Sequence, residues 1–279
     1  MDYIELTIEP SPRDPWVEIV IAALADYGFD SFVETETGVQ AYGPVKDVNV
    51  KLVLAETILK GGLDDVTFSI DEKLIPHQNW NALWESDFKP VEVDDYLTIV
   101  APFHSKEGRK GMIVEIQPQM SFGTGHHETT FLMSKMLFEL DEIPAKVLDM
   151  GTGTGVLAII AEKLGAKEVL AIDIEDWSVE NTIENAQRNN CKTITALCGD
   201  QDLIQNLDFR LILANINKNV LKAHMESYSK ALGVGGDLLL SGFFISDVDE
   251  LVEVALGYDL TKKNVVTKDG WACIHLIKK

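Results

Sequence analysis

The sequence predicts an α/β chain: a doubly wound parallel sheet with a terminal antiparallel hairpin, preceded by a small α+β domain. Three observations carry this. From residue 146 onward, near-continuous apolar runs alternate with amphipathic stretches at short intervals. A glycine-rich turn at 151–155 follows the first of those runs, and an acid, Asp173, ends the second. Residues 1–76 follow a different rhythm, βαββαβ, which is that of a split βαβ, ferredoxin-like unit.

Tyr3–Glu9 alternates apolar and polar residues as a half-buried strand does. Pro12 and Pro15 then break the chain. Trp16–Tyr27 sets Trp16, Ile19, Val20, Ala23 and Leu24 at helical spacing, with Gly28 placed to stop the helix. Phe32–Glu36 and Val39–Tyr42 read as strands around a turn at Thr37-Gly38, Val48–Leu59 as a helix, and Val66–Ile75 as a strand closed by Pro76. No catalytic cluster stands out in this first domain, 1–76. Gln78–Phe88 spaces Trp80 and Trp84 four apart on one helical face, expected to pack between domains, so 77–95 reads as a linker helix.

The second domain, 96–279, opens with strands at Tyr96–Pro102 and Met112–Gln117 around a charged loop. Its main strands are Lys146–Met150, Val169–Ile174, Ile194–Leu197, Leu211–Asn215 and Asp237–Ser241. Helices are expected at Val156–Leu164, Trp177–Asn189, Asn219–Leu232 and Asp247–Ala255, with a weaker one at Asp202–Leu207. Near-continuous apolar runs such as 147–150, broken by Asp149 alone, and 211–214 suit parallel strands covered on both faces. Val265-Val266 and Trp271–Ile277 form the closing hairpin.

Composition narrows the function. Of 279 residues, 46% are hydrophobic, enough for a real core, and the formal charge is −21. So acidic a chain is badly suited to direct nucleic-acid binding through phosphates and is repelled by an anionic membrane surface. No apolar run reaches membrane-spanning length, and the N-terminus lacks the basic start of a signal peptide. Cys191, Cys198 and Cys273 form no CxxC pair and are expected as buried, reduced thiols in a cytoplasmic protein. The acidity is uneven. Residues 1–95 carry 20 acidic and 6 basic residues, residues 96–279 carry 25 and 18. The first domain is thus suited to attracting a basic partner.

The chemistry concentrates at strand ends. Gly151, Gly153 and Gly155 permit a tight turn and close backbone approach of a ligand. Asp173, 22 residues after Gly151, is placed to accept hydrogen bonds from both hydroxyls of a ribose. The spacing is GxGxG with Asp149 ahead of it, and Val156 stands where a dinucleotide fingerprint has its third glycine. An acid beside the loop repels a pyrophosphate and can hold an ammonium, which favours S-adenosyl-L-methionine over NAD. Asn215 ends the fourth strand, where its side-chain carbonyl can accept a hydrogen bond from an amine. His126 and His127 are adjacent and point apart, with no further ligand at a helical offset, so no metal is expected. Thr129 and Thr130 open a helix, and Phe122 and Trp271 are candidates for covering the site.

MSFGTGHHETT (120–130), VLDMGTGTGVLAI (147–159), AIDIEDWSVENTIENA (171–186), LILANI (211–216), DGWACIHL (269–276) and the two-tryptophan segment NWNALWESDFKP (79–90) together resemble the bacterial ribosomal protein L11 methyltransferase family. The resemblance runs over essentially the whole chain. It implies a Rossmann-like class I methyltransferase sheet and methyl transfer from S-adenosylmethionine to the α-amino group and lysine side chains of that protein. It also implies cofactor contacts by Thr130, Gly151, Asp173 and Asn215; Gly153 of the same glycine turn is expected to join them, and Asn215 is the expected catalytic residue. The first domain would recognise the substrate, free before ribosome assembly, and the enzyme would act as a monomer. A methyltransferase for another protein or a small amine, an NAD-dependent oxidoreductase and a non-catalytic binding protein are the other readings.

Overall fold

The computed structural model describes residues 2–61, 63, 65–76, 88–118, 127–205 and 207–279. The chain divides into two compact units, 1–87 and 88–279. In the first, β1 (Tyr3–Ser11), α1 (Trp16–Ala25), β2 (Ser31–Glu34), β3 (Val39–Pro44), α2 (Val50–Glu56) and β4 (Thr67–Ile75) follow one another. The sheet has the order β2-β3-β1-β4 and is antiparallel throughout. The alternation of β1 explains its core. Ile4, Leu6 and Ile8 point inward and pack with Val17, Val20 and Leu24 of α1 and Val53 of α2. The second predicted helix is shorter than expected and gives way to a 3-10 turn at Ile58–Lys60.

The second unit begins with β5 (Val91–Val93), β6 (Leu97–Val100) and β7 (Met112–Glu115), a small sheet of its own. β5 falls inside the segment expected as linker and pairs antiparallel with β6. β6 and β7 run parallel, so the charged loop between them is a crossover and not a hairpin turn. The two-tryptophan helix, with Trp80 and Trp84, lies outside the described residues.

Helix α3 (Glu128–Phe138) leads into the large sheet. Its elements are β8 (Lys146–Met150), α4 (Val156–Leu164), β9 (Glu168–Asp173), α5 (Asp176–Arg188), β10 (Ile194–Cys198), β11 (Phe209–Asn215), α6 (Lys218–Ala231), β12 (Leu232–Phe244), α7 (Val248–Leu256), β13 (Leu260–Lys268) and β14 (Trp271–Lys278). The strand order is β10-β9-β8-β11-β12-β14-β13, and only β14 runs against the rest. Asp269 and Gly270, both at positive φ, make the two-residue turn that reverses the chain into β14. The weak helix expected at 202–207 is a 3-10 turn, Gln201–Ile204.

Alternate residues of each central strand enter different cores. Val147, Leu211 and Leu213 pack on one face with Leu132 and Met133 of α3 and Val156 and Ile160 of α4. Leu148, Ile212 and Ala214 pack on the other with Leu221 and Met225 of α6 and Leu251 of α7. This is why those strands read as near-continuous apolar runs. The chain works outward from β8 to β10, then crosses back to β11. Strand order therefore reverses between β8 and β11, and the C-terminal ends of these strands flank the crevice where such sheets bind ligands. The three cysteines are unpaired. Cys273 is buried and Cys191 half-buried, but Cys198 is exposed, contrary to expectation, because β10 is an edge strand. No described helix is long and apolar enough to cross a membrane.

Candidate active site

Met150 ends β8, and the chain turns through Gly151, Gly153 and Gly155, all at positive φ, into the first turn of α4. The turn is pinned from beneath. The Gly151 and Thr152 N–H groups donate to the Ile172 carbonyl at 2.8 and 3.1 Å. The Thr152 hydroxyl donates to Asp149 at 2.7 Å, and the Ala158 N–H donates to the same carboxylate oxygen at 3.1 Å. Asp149 is only 1% exposed. Its carboxylate therefore buttresses the loop from behind and does not stand open beside it, as its position in the sequence had led us to expect.

Burial pushes the Asp149 carboxyl up to about 7, against the pull of the Thr152 and Ala158 donors and with help from the Asp173 charge. The native state holds this proton more tightly than the unfolded chain, whose carboxyl titrates near its usual value of about 4. The stability it contributes is complete below about pH 4 and is lost as pH rises through about 7. An Asp149→Asn variant keeps the shape and removes the titration. Its melting temperature should fall less than the parent's between about pH 5 and about pH 8. Parallel pH profiles for the two proteins would refute this.

Asp173 ends β9, and its carboxylate turns toward the loop. Oδ2 accepts the Gly153 N–H at 2.9 Å and Oδ1 accepts the Glu175 N–H at 3.1 Å. Asn215 ends β11, two strands away across β8. Its side chain makes no hydrogen bond to any described residue. Ile216 follows it, and a Cβ on Gly151 would lie 2.2 Å from the Ile216 Cγ2. The glycine turn and the Asn215-Ile216 turn are thus in contact. Four of the expected site residues, Gly151, Gly153, Asp173 and Asn215, come together at one sheet edge.

Thr130 is placed differently. It is buried in the first turn of α3, with its N–H donating to the His127 carbonyl at 3.0 Å, and nothing bonds it directly to the other four. It belongs to the same edge through His127, which packs edge-on against Trp271 with ring centroids 4.5 Å apart. Trp271 in turn lies 4.2 Å from Phe244, at the C-terminal end of β12. His127 is the N-cap of α3, its Nδ1 accepting the Thr129 N–H at 3.2 Å. Phe122 and His126 lie outside the described residues.

The edge holds residues the sequence did not single out. Ile174 follows Asp173 and is 70% exposed, an apolar surface directly beside the carboxylate. Asp200 stands past the end of the neighbouring β10 and caps the turn that follows. Thr182 and Asn185 reach the glycine turn from α5. The signal available for Asn185 was asparagine repeated at 181, 185 and 189, a helical spacing of four.

The family described as ribosomal protein L11 methyltransferase matches residues 22–279. A protein of that name from Porphyromonas gingivalis is 40% identical over 273 residues, covering 97% of this chain and 92% of its own. One from Phocaeicola vulgatus is 37% identical over 282 residues, covering both chains in full. The crystal structure of a ribosomal protein L11 methylase from Lactobacillus delbrueckii subsp. bulgaricus superimposes with a TM-score of 0.64 at 27% identity, covering 69% of this chain and all of that one. Likeness of this depth over both units leaves a single assignment: the chain belongs to the ribosomal protein L11 methyltransferase family.

Proposed function

We propose that the chain transfers methyl groups from S-adenosylmethionine to the α-amino group and lysine ε-amines of ribosomal protein L11. The observation that carries the reading is the joining of Asp173 to Gly153 at the switch point beside Asn215. The names of the relatives supply the acceptor.

The residues present fit that cofactor. Each Asp173 oxygen accepts one backbone N–H and keeps acceptor capacity for a ribose hydroxyl. Ile174 offers an apolar face to a purine, with Asp200 nearby as an acceptor for an amino group. Gly151 and Gly153 let a ligand approach the backbone, and Thr130 stands at the far side of the edge. When bound, S-adenosylmethionine supplies an electrophilic sulfonium methyl. Everything else falls to the protein, which holds the acceptor amine in line and keeps it neutral. An α-amine titrates near 8 and a lysine near about 10.4, so a carboxylate beside the amine would oppose catalysis by stabilising the ammonium. Asn215 avoids this. Its uncharged carbonyl can accept an N–H of the amine, orient the lone pair and leave the proton to water.

The first unit carries most of the charge excess and is suited to recruiting a basic protein before ribosome assembly. We assign it substrate recognition, and the second unit catalysis, within a cytoplasmic monomer.

The test is incubation with methyl-labelled S-adenosylmethionine and a ribosomal-protein extract. One labelled band, at L11, is the expected result, and Asn215→Ala should cut kcat by about 10–100-fold. Label on other proteins alone, or on none, would overturn the reading.

A further inference from the structure

The buried face of α5 is polar. Ser178, Asn181, Thr182 and Asn185 are buried, while Trp177 and Ile183 on the same helix are exposed. Polar groups buried in this way cost stability unless each is paired. Here the pairing leads to the glycine turn. The Thr182 hydroxyl donates to the Gly153 carbonyl at 3.1 Å. Asn185 Nδ2 donates to the Thr154 carbonyl and to Asn181 Oδ1, each at 2.9 Å, while its Oδ1 accepts the Gln117 N–H at 2.9 Å. One turn on, Asn189 engages both backbone groups of Glu115, at 3.0 and 2.7 Å, and bonds no residue of the glycine turn.

We propose that Thr182 and Asn185 are positioning residues for cofactor binding: by fixing the carbonyls of Gly153 and Thr154, they hold the Gly153 N–H on Asp173 and so keep that carboxylate aimed at the ligand. The glycines at 151, 153 and 155 give the turn wide conformational freedom. The Ile172 carbonyl and Asp149 fix its first half, and these two α5 side chains fix its second. The bond from Asn185 to Gln117 ties the turn to the segment just after β7, so a single amide sets the spacing of both. The proposal rests on the cofactor reading above.

The test compares three variants for S-adenosylmethionine affinity, steady-state kinetics and melting temperature. Thr182→Val is nearly isosteric and removes only the hydroxyl. Asn185→Asp keeps an acceptor for Gln117 and loses the donor to Thr154. Asn189→Ala removes the ties to β7 and leaves the turn alone. Thr182→Val should raise the Kd and KM for S-adenosylmethionine about fivefold to tenfold, and Asn185→Asp at least as much, with kcat within about twofold of the parent. Asn189→Ala should lower the melting temperature and leave the Kd unchanged. If Asn185→Asp does not fold, Thr182→Val decides. Unchanged affinity in Thr182→Val, or an equal loss in Asn189→Ala, would overturn the proposal. A parent protein that fails to bind S-adenosylmethionine at all would instead overturn the cofactor reading.

Discussion

Replacing Asp173 by alanine is expected to weaken S-adenosylmethionine binding by about 100-fold or more while leaving the fold intact. The carboxylate is half-buried at the end of β9, and its present partners are two backbone N–H groups that water can satisfy in its absence. Loss of stability should therefore be slight. The ligand loses more. Two hydrogen bonds from ribose hydroxyls to an ionised acceptor are each worth about 1.5–3 kcal/mol, and together they exceed a factor of 100. The Gly153 N–H is also released, so the second half of the turn loses its tie to β9. Calorimetry measures the affinity and thermal unfolding the stability. Parent-like affinity in a folded Asp173→Ala protein would remove Asp173 from the site.

The second large effect concerns a residue that touches no ligand. Gly242 sits within β12 at φ +97°, where the pairing with β14 is irregular, and a Cβ there would lie 2.2 Å from the Ile216 carbonyl oxygen and 2.7 Å from its carbon. Both obstacles are backbone and cannot rotate away. Gly242→Ala must accept left-handed strain and also displace the turn that carries Asn215. We expect a loss of about 3–5 kcal/mol, or about 6–15 °C in melting temperature, with kcat falling as Asn215 shifts. Gly235 provides the control. It too has positive φ, but a Cβ there meets nothing within 4 Å. Gly235→Ala should cost only the conformational strain, about 1–2 kcal/mol. Equal losses in the two variants would show that the clash with Ile216 does not matter.

These two cases mark what could be read in advance. Asp173 was legible because a strand end, an intervening helix and a glycine turn fix its place in the chain, and each is a local pattern. Asn215 was legible for the same reason. Gly242 was not. Its constraint comes from Ile216, a residue on a neighbouring segment that strand pairing brings against it. Asp149 was half legible: its nearness to the turn showed, but the side of the turn it faces did not. That side is set by the pleat of β8, which sends its carboxylate inward to meet Ala158 of α4. The pairing of β6 with β7 was not legible either, since two short strands around a loop look alike whether they pair parallel or antiparallel.

Helix α5 draws the same line most clearly. Its length and ends followed from sequence, but its buried side did not. Trp177 and Ile183 are exposed, and Ser178, Asn181, Thr182 and Asn185 are buried. The inward face is Asn and Thr because the surface it meets is a glycine turn whose Gly153 and Thr154 carbonyls accept hydrogen bonds from it, and such bonds outweigh apolar burial there. What the sequence determined by itself was the order of elements, the doubly wound class with its closing hairpin, the family, and the strand-end places of Gly151, Gly153, Asp173 and Asn215. These depend on local spacing and on alternation of period 2 or 3.6. What tertiary structure alone decided was which polar groups are buried, which glycines face backbone at close range and which helix pairs the carbonyls of the glycine turn. Those depend on groups far apart in the chain, whose pairing energies exist only once the sheet has brought them within 3 Å or so of each other.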